Sequence, residues 1–104
     1  FKVLTPVVSV GSALEFTCTI TSTADHDQDL LLDYHLYFKK ANGTLAAKTF
    51  RVIKTKIKAG ETCVYSKQHR LRPMTTRVLH LGTHAVELQI NGRRYQRQEF
   101  TLCG

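Results

Sequence analysis

The chain has 104 residues with a formal charge of +7, 42% hydrophobic and 22% charged side chains. That is one domain with room for a single core and none for a separate functional lobe. No apolar run approaches the length needed to cross a bilayer, which excludes an inserted helix.

The charge is unevenly placed. In the first 35 residues Lys2 stands against Glu15, Asp25, Asp27, Asp29 and Asp33, a balance of −4, whereas from position 36 onward fourteen Lys and Arg face only Glu61, Glu87 and Glu99, a balance of +11. Such a field inside one small domain fits a polyanionic partner, and an acidic protein surface satisfies it equally. The chain starts at Phe1 without methionine or a signal-like order of charged, apolar and small residues, so a piece of a longer polypeptide is expected.

Alternation with period two begins at Leu14. Leu14, Phe16, Cys18 and Ile20 share one parity and Glu15, Thr17, Thr19 and Thr21 the other, which predicts a half-buried strand. After an acidic turn-forming stretch, Leu30, Leu32, Tyr34, Leu36 and Phe38 repeat the pattern against Asp33, His35, Tyr37 and Lys39. Asn42-Gly43 then predicts a tight reversal with positive φ at both central residues. In the next run Phe50 and Val52 hold one parity, but Ile53 and Ile57 hold the other, so a β-bulge is expected near Val52-Ile53. Lys54, Lys56 and Lys58 line the outward side, where charge keeps an edge strand from pairing with other sheets.

Ala59-Gly60-Glu61 breaks the run, and Cys63, Tyr65, His69 and Leu71 then share a face to which Lys67 is the exception. Arg72 to Gly82 contains Pro73 and no sustained period, which predicts a long connection. His84, Val86, Leu88 and Ile90 resume the alternation, Asn91-Gly92 predicts a type I′ turn, and Phe100 and Leu102 close the core. About seven short strands without an amphipathic helix predict an all-β fold, an immunoglobulin-like antiparallel β-sandwich formed by residues 1–104 as a single domain. There is no tryptophan, and no cysteine on the penultimate strand to face Cys18, so no disulfide is expected. Cys18, Cys63 and Cys103 are read as small buried hydrophobes in a reducing, cytoplasmic setting.

Chemistry is sparse. His26, His35, His69, His80 and His84 show no metal-ligand spacing with one another or with the cysteines, so neither metal nor other cofactor is expected. His69 and His84 have inward parity and are read as hydrogen-bonded core histidines. Ser66 or Cys63 can be paired with His69 only on paper, since nothing orients a base or supplies an oxyanion donor, and the chain is read as a non-enzyme with no small-molecule substrate.

What remains is basic surface. Arg93, Arg94 and Arg97 surround the Asn91-Gly92 tip, and Lys67, Arg70, Arg72 and Arg77 line the segment leading into the long connection. There arginine forks, the hydroxyls of Thr75 and Thr76 and a stiffening Pro73 match phosphate contact in kind as well as in charge. Lys67, Arg70, Arg72, Thr75, Thr76 and Arg77 are therefore the candidate DNA-binding residues. The competing reading has the arginines pair with Asp25, Asp27 or Asp29. The segment carries no interleaved aromatic residue, which argues against stacking on single-stranded bases.

The stretches "DYHLYFKKANGTLAAKTFRV", "KAGETCVYSKQHRLRPMTTRVLHLGTHAVELQINGR" and "EFTL" resemble the C-terminal immunoglobulin-like domain of bacterial DNA glycosylases of the HEAT-like repeat family, which excise alkylated purines such as 3-methyladenine. The likeness runs from about Val10 to Leu102 and is most specific from Ser66 to Gly82 and at Asn91-Gly92. It implies that an N-terminal helical-repeat domain of the same polypeptide carries the catalytic carboxylates and recognises the damaged base without extruding it. The immunoglobulin-like domain then helps to hold the double-stranded DNA from the other side. Lys67, His69, Arg70, Arg72, Pro73, Thr75, Thr76, Arg77 and Gly82 match the shared stretch, and a contact role passes to Arg70, Arg72, Thr75, Thr76 and Arg77. Catalysis does not transfer, because the carboxylates have no counterpart here. The rival function is an interaction or spacer domain whose basic face docks on an acidic protein surface.

Overall fold

A computed structural model describes residues 1–72 and 79–104. Among these residues eight strands follow one another: β1 (Lys2–Val3), β2 (Val7–Ser9), β3 (Ala13–Thr21), β4 (Gln28–Lys39), β5 (Leu45–Ile57), β6 (Thr62–Arg70), β7 (Gly82–Ile90) and β8 (Arg93–Cys103). They form a three-stranded sheet in the order β1-β3-β6 and a five-stranded sheet in the order β2-β8-β7-β4-β5, packed face to face as the alternating patterns require. Every pair is antiparallel except β2 with β8, which run parallel over three residues.

The inward parities predicted from the alternation become the core. Leu14, Phe16 and Cys18 of β3 meet Leu32, Tyr34, Leu36 and Phe38 of β4, with Val86 and Leu88 of β7 and Phe100 and Leu102 of β8. Burial pushes the Cys18 thiol up, as befits a thiol acting as a small hydrophobe, and all three cysteines are free. His84 is the buried core histidine that its parity predicts: its ring stacks on Phe100, Nε2–H donates to the His80 carbonyl at 2.8 Å, and Nδ1 accepts from the Lys39 amide at 3.3 Å.

The short N-terminal strands β1 and β2 carry no periodic signal. Pro6 lies between them, and there the chain leaves β3 for β8: the Leu4 amide still donates to Glu15, and the Pro6 carbonyl already accepts from Thr101. The Gln98 side chain joins the sheets at this point, donating to the Phe1 carbonyl at 2.7 Å and accepting from the Val3 amide at 2.9 Å.

Two turn expectations divide. At Asn91-Gly92 both residues take positive φ, 49° and 82°, as a type I′ turn demands. At Asn42-Gly43 only Gly43 does, at 84°. Lys40 accepts from Gly43 and donates to Thr44, while the Asn42 side chain accepts from the Thr44 amide. This longer loop leaves Asn42 on the ordinary side of φ, because its carboxamide serves as a local acceptor instead. The bulge expected near Val52-Ile53 is present, since Leu32 pairs with Ile53 and Asp33 with Arg51, leaving Val52 as the extra residue.

The outward face of β4 is more enclosed than alternation alone predicts. Asp33 and His35 are buried because β4 lies between β5 and β7, whose side chains close over it. Arg51 Nε donates to Asp33 at 2.9 Å, Thr49 and Gln89 bracket the His35 ring, and the Tyr37 hydroxyl donates to Glu87 at 2.7 Å beneath the Arg97 guanidinium.

Candidate nucleic-acid interface

β5 is an edge of the five-stranded sheet and β6 an edge of the three-stranded one, and neither is hydrogen-bonded to the other. Their inward-facing side chains therefore border an open seam between the sheets, a cleft of about 470 Å³. Lys48 and Phe50 come from β5, Lys67 and His69 from β6, and Tyr34 and Phe38 of β4 form the floor. Arg51, Arg70 and Arg72 complete a wall with five Lys and Arg and, among the described residues, no Asp or Glu, so an anion is the ligand it attracts.

A row of rings stiffens this wall. Phe1 meets Phe16 edge-on with centroids 5.5 Å apart, Phe16 meets Tyr34 at 5.1 Å, Tyr34 stacks on Phe50 at 5.3 Å, and Phe50 meets His69 at 4.5 Å. Such ring pairs add about 0.5–1.5 kcal/mol each beyond their buried area and hold one another in place. Lys48 Nζ lies 5.6 Å from the Phe50 centroid, so its ammonium rests against the last ring of the row.

His69 ends the row in a defined chemical state. Its Nδ1 is 2.7 Å from the Tyr34 hydroxyl. Burial raises Tyr34 to about 12, so that hydroxyl keeps its proton. Burial, then repulsion from Lys67 and Lys48, lowers the His69 imidazole below the usual histidine value and favours the neutral ring. In the tautomer with its proton on Nε2, Nδ1 accepts from the Tyr34 hydroxyl and Nε2–H is a donor.

Of the six candidate contact residues, Lys67, Arg70 and Arg72 lie together along this cleft. Thr75, Thr76 and Arg77, together with Pro73, fall outside the described residues. Arg70 and Arg72 are exposed, and Arg70 Nη1 donates to the Gly11 carbonyl at 3.0 Å, which fixes one end of its fork. The rival pairing with the early aspartates does not occur for the described arginines. Among the described residues the ion pairs are Arg51 with Asp33, Arg94 with Glu87, and His26 with Asp25.

Sequence reasoning missed Lys48, Phe50 and the floor aromatics Tyr34 and Phe38. The rings arrive from β4 and β5, remote in the chain. The signal that was available is Lys67 on an apolar parity: a charge there marks an inward face open to solvent. The other basic groups are placed elsewhere. Lys54 and Lys56 are exposed on edge strand β5, the site where charge opposes sheet pairing, and Arg94 and Arg97 lie over Tyr37 on the outer face. Ser66 and His69 point to opposite faces of β6, and Cys63 is six residues from His69 along the strand, about 20 Å, so neither forms a nucleophile-base pair.

A solved structure of the alkylpurine DNA glycosylase AlkC from Pseudomonas fluorescens, bound to DNA containing an abasic site analog, superimposes with a TM-score of 0.93 at 32% identity, covering 98% of this chain and 29% of that one. A β-glucosidase from Listeria innocua matches with a TM-score of 0.78 at 16% identity, which shows a shared fold alone. The uncharacterized protein YhaZ of Bacillus subtilis (strain 168) is 32% identical over 96 residues, 92% of this chain and 26% of YhaZ. The chain thus spans little more than a quarter of either relative. Since the family model for the C-terminal Ig-like domain of the uncharacterised protein YhaZ matches residues 1–104 from end to end, the chain belongs to that family of immunoglobulin-like domains.

Proposed function

We propose that this domain is a non-catalytic accessory module that helps an alkylpurine DNA glycosylase of the HEAT-like repeat family grip duplex DNA during repair of alkylated bases. It serves a helical-repeat catalytic domain of the same polypeptide in the reducing cytoplasm. The observation that carries this reading is the cationic wall of Lys48, Lys67, Arg70 and Arg72, which no carboxylate among the described residues neutralises. Support comes from the 0.93 superposition on a glycosylase bound to DNA. Thr75, Thr76 and Arg77 extend the contact beyond Arg72.

Binding of this kind reads the backbone and not the sequence. A handful of phosphate contacts gives about 10⁻⁴–10⁻⁶ M at physiological salt, and linkage to a second DNA-binding domain multiplies that through effective concentration. The test is anisotropy of a labelled duplex at several salt concentrations. The logarithm of affinity falls with the logarithm of salt by about 0.9 per phosphate neutralised, and changing Lys67, Arg70 and Arg72 together to alanine flattens that slope by up to about 2.7. Absent or salt-insensitive binding rejects the proposal. Polyglutamate that competes as well as unlabelled duplex assigns the wall to an acidic protein surface instead.

A further inference from the structure

Three donors line the same seam. Lys48 projects from β5, Lys67 and His69 from β6, all toward the same cleft. His69 is anchored from behind, with Nδ1 bonded to the Tyr34 hydroxyl and its ring against Phe50, so Nε2–H is the atom left for a ligand. Inward lysines at a sheet edge are explained by protection from edge pairing alone. A fixed histidine lining the same cleft is not.

We propose that the seam between β5 and β6 is a phosphate-binding site in which Lys48, Lys67 and His69 Nε2–H converge on one phosphodiester of bound nucleic acid, and that the phosphate draws a proton onto His69. The inference rests on the reading of the domain as a DNA grip and assigns that grip its deepest contact. The groups facing His69 from each packed element give the sign. β4 presents the neutral Tyr34 hydroxyl, β5 presents Lys48, with Arg51 already paired to Asp33, and β6 presents Lys67 with Arg70 beside it. Without a ligand these charges are all positive or cancelled, so a proton on His69 is disfavoured. A phosphodiester brings one negative charge, which offsets part of the lysines' field, and makes a charge-assisted hydrogen bond with imidazolium. Binding then takes up a proton from solvent at Nδ1, with Tyr34 turning from donor to acceptor.

The experiment is NMR of the His69 ring in the whole chain, titrated with acid in the absence and presence of a short duplex, together with duplex affinity at each pH. The expected result is an upward move of the His69 titration on binding and an affinity that rises by up to about tenfold per pH unit on acidification below neutrality, the limit for one proton. His69→Asn cannot charge, and abolishes the pH dependence. Lys48→Met, at an exposed position, raises the His69 titration of the free chain and shrinks its response to duplex. A His69 titration unmoved by a duplex that does bind, or an acid dependence that persists in His69→Asn, overturns the site and leaves the DNA grip standing. No duplex binding at any pH rejects both readings. A shift with inorganic phosphate and none with duplex overturns the assignment to a nucleic-acid phosphodiester.

Discussion

Asn91 holds more than a turn. Its backbone φ of 49° opens the type I′ reversal between β7 and β8, and its side chain reaches sideways to β4, where Oδ1 accepts from the Leu31 amide at 2.7 Å and Nδ2 donates to the Asp29 carbonyl at 2.9 Å. The Asn91 amide itself donates to the Leu31 carbonyl at 2.9 Å. The carboxamide thus continues the β4–β7 ladder one step past the end of β7. Asn91→Ala removes both side-chain bonds. Because the site is exposed and water can replace them, each is counted at the low end, about 0.5 kcal/mol. Alanine in the left-handed region costs about 1 kcal/mol more, for a total near 2 kcal/mol. Asn91→Gly loses the bonds but is at ease at that φ, so about 1 kcal/mol is expected. Asn91→Asp keeps the acceptor and turns a carboxylate oxygen toward the Asp29 carbonyl, so it falls between native and alanine. The assay is urea unfolding at 25 °C, with the midpoint shifted and the slope unchanged. A glycine variant as stable as native, or an alanine variant within about 0.5 kcal/mol of native, would refute the assignment of a clamp on β4.

Three further outcomes are expected. Changing Lys54 and Lys56 to alanine should leave duplex affinity close to native while promoting concentration-dependent self-association in light scattering, because these exposed lysines guard the β5 edge and stand apart from the cleft. Gly82→Ala should destabilise by about 1–3 kcal/mol in thermal unfolding; its φ is 126° and the new Cβ would lie 2.7 Å from Lys39 Nζ. The double change with Lys39→Ala should not restore stability, because the ammonium end of a lysine moves aside easily and the backbone strain remains. Stability should also fall on mild acidification: the unfolded chain protonates His69 near its ordinary 6.5 while the folded seam resists, so the unfolded state binds more protons in that window. The decline begins as pH drops through about 6.5, levels once the folded imidazole is also charged, and is flattened by His69→Asn in chemical denaturation at a series of pH values.

Much of the sandwich was legible because its signals are local. The parities of Leu14 to Ile20 and Leu30 to Phe38 became the two inner faces, the parity change at Val52 became a bulge, and Asn91-Gly92 became a type I′ turn. Each depends on the pleat or on the φ a residue tolerates, and both are set within a few residues. The failures have equally specific causes. β1 and β2 are too short for a period to show, and a carboxamide with a nearby acceptor role kept Asn42 out of the left-handed region. The burial of Asp33 and His35 depends on what covers β4.

For the site, composition and order sufficed to mark Lys67, Arg70 and Arg72 as a basic group and to flag Lys67 as a charge on an apolar face. They left the contest between an internal aspartate and an external anion open. Tertiary structure removed the internal option for Arg70 and Arg72, since among the described residues neither pairs with Asp25, Asp27 or Asp29. It also decided that Lys48, Phe50 and His69 share one cleft. Periodicity tells which way a side chain points from its own strand; it cannot tell which two strand edges are left unpaired when the sheets pack, and the seam exists only between those edges.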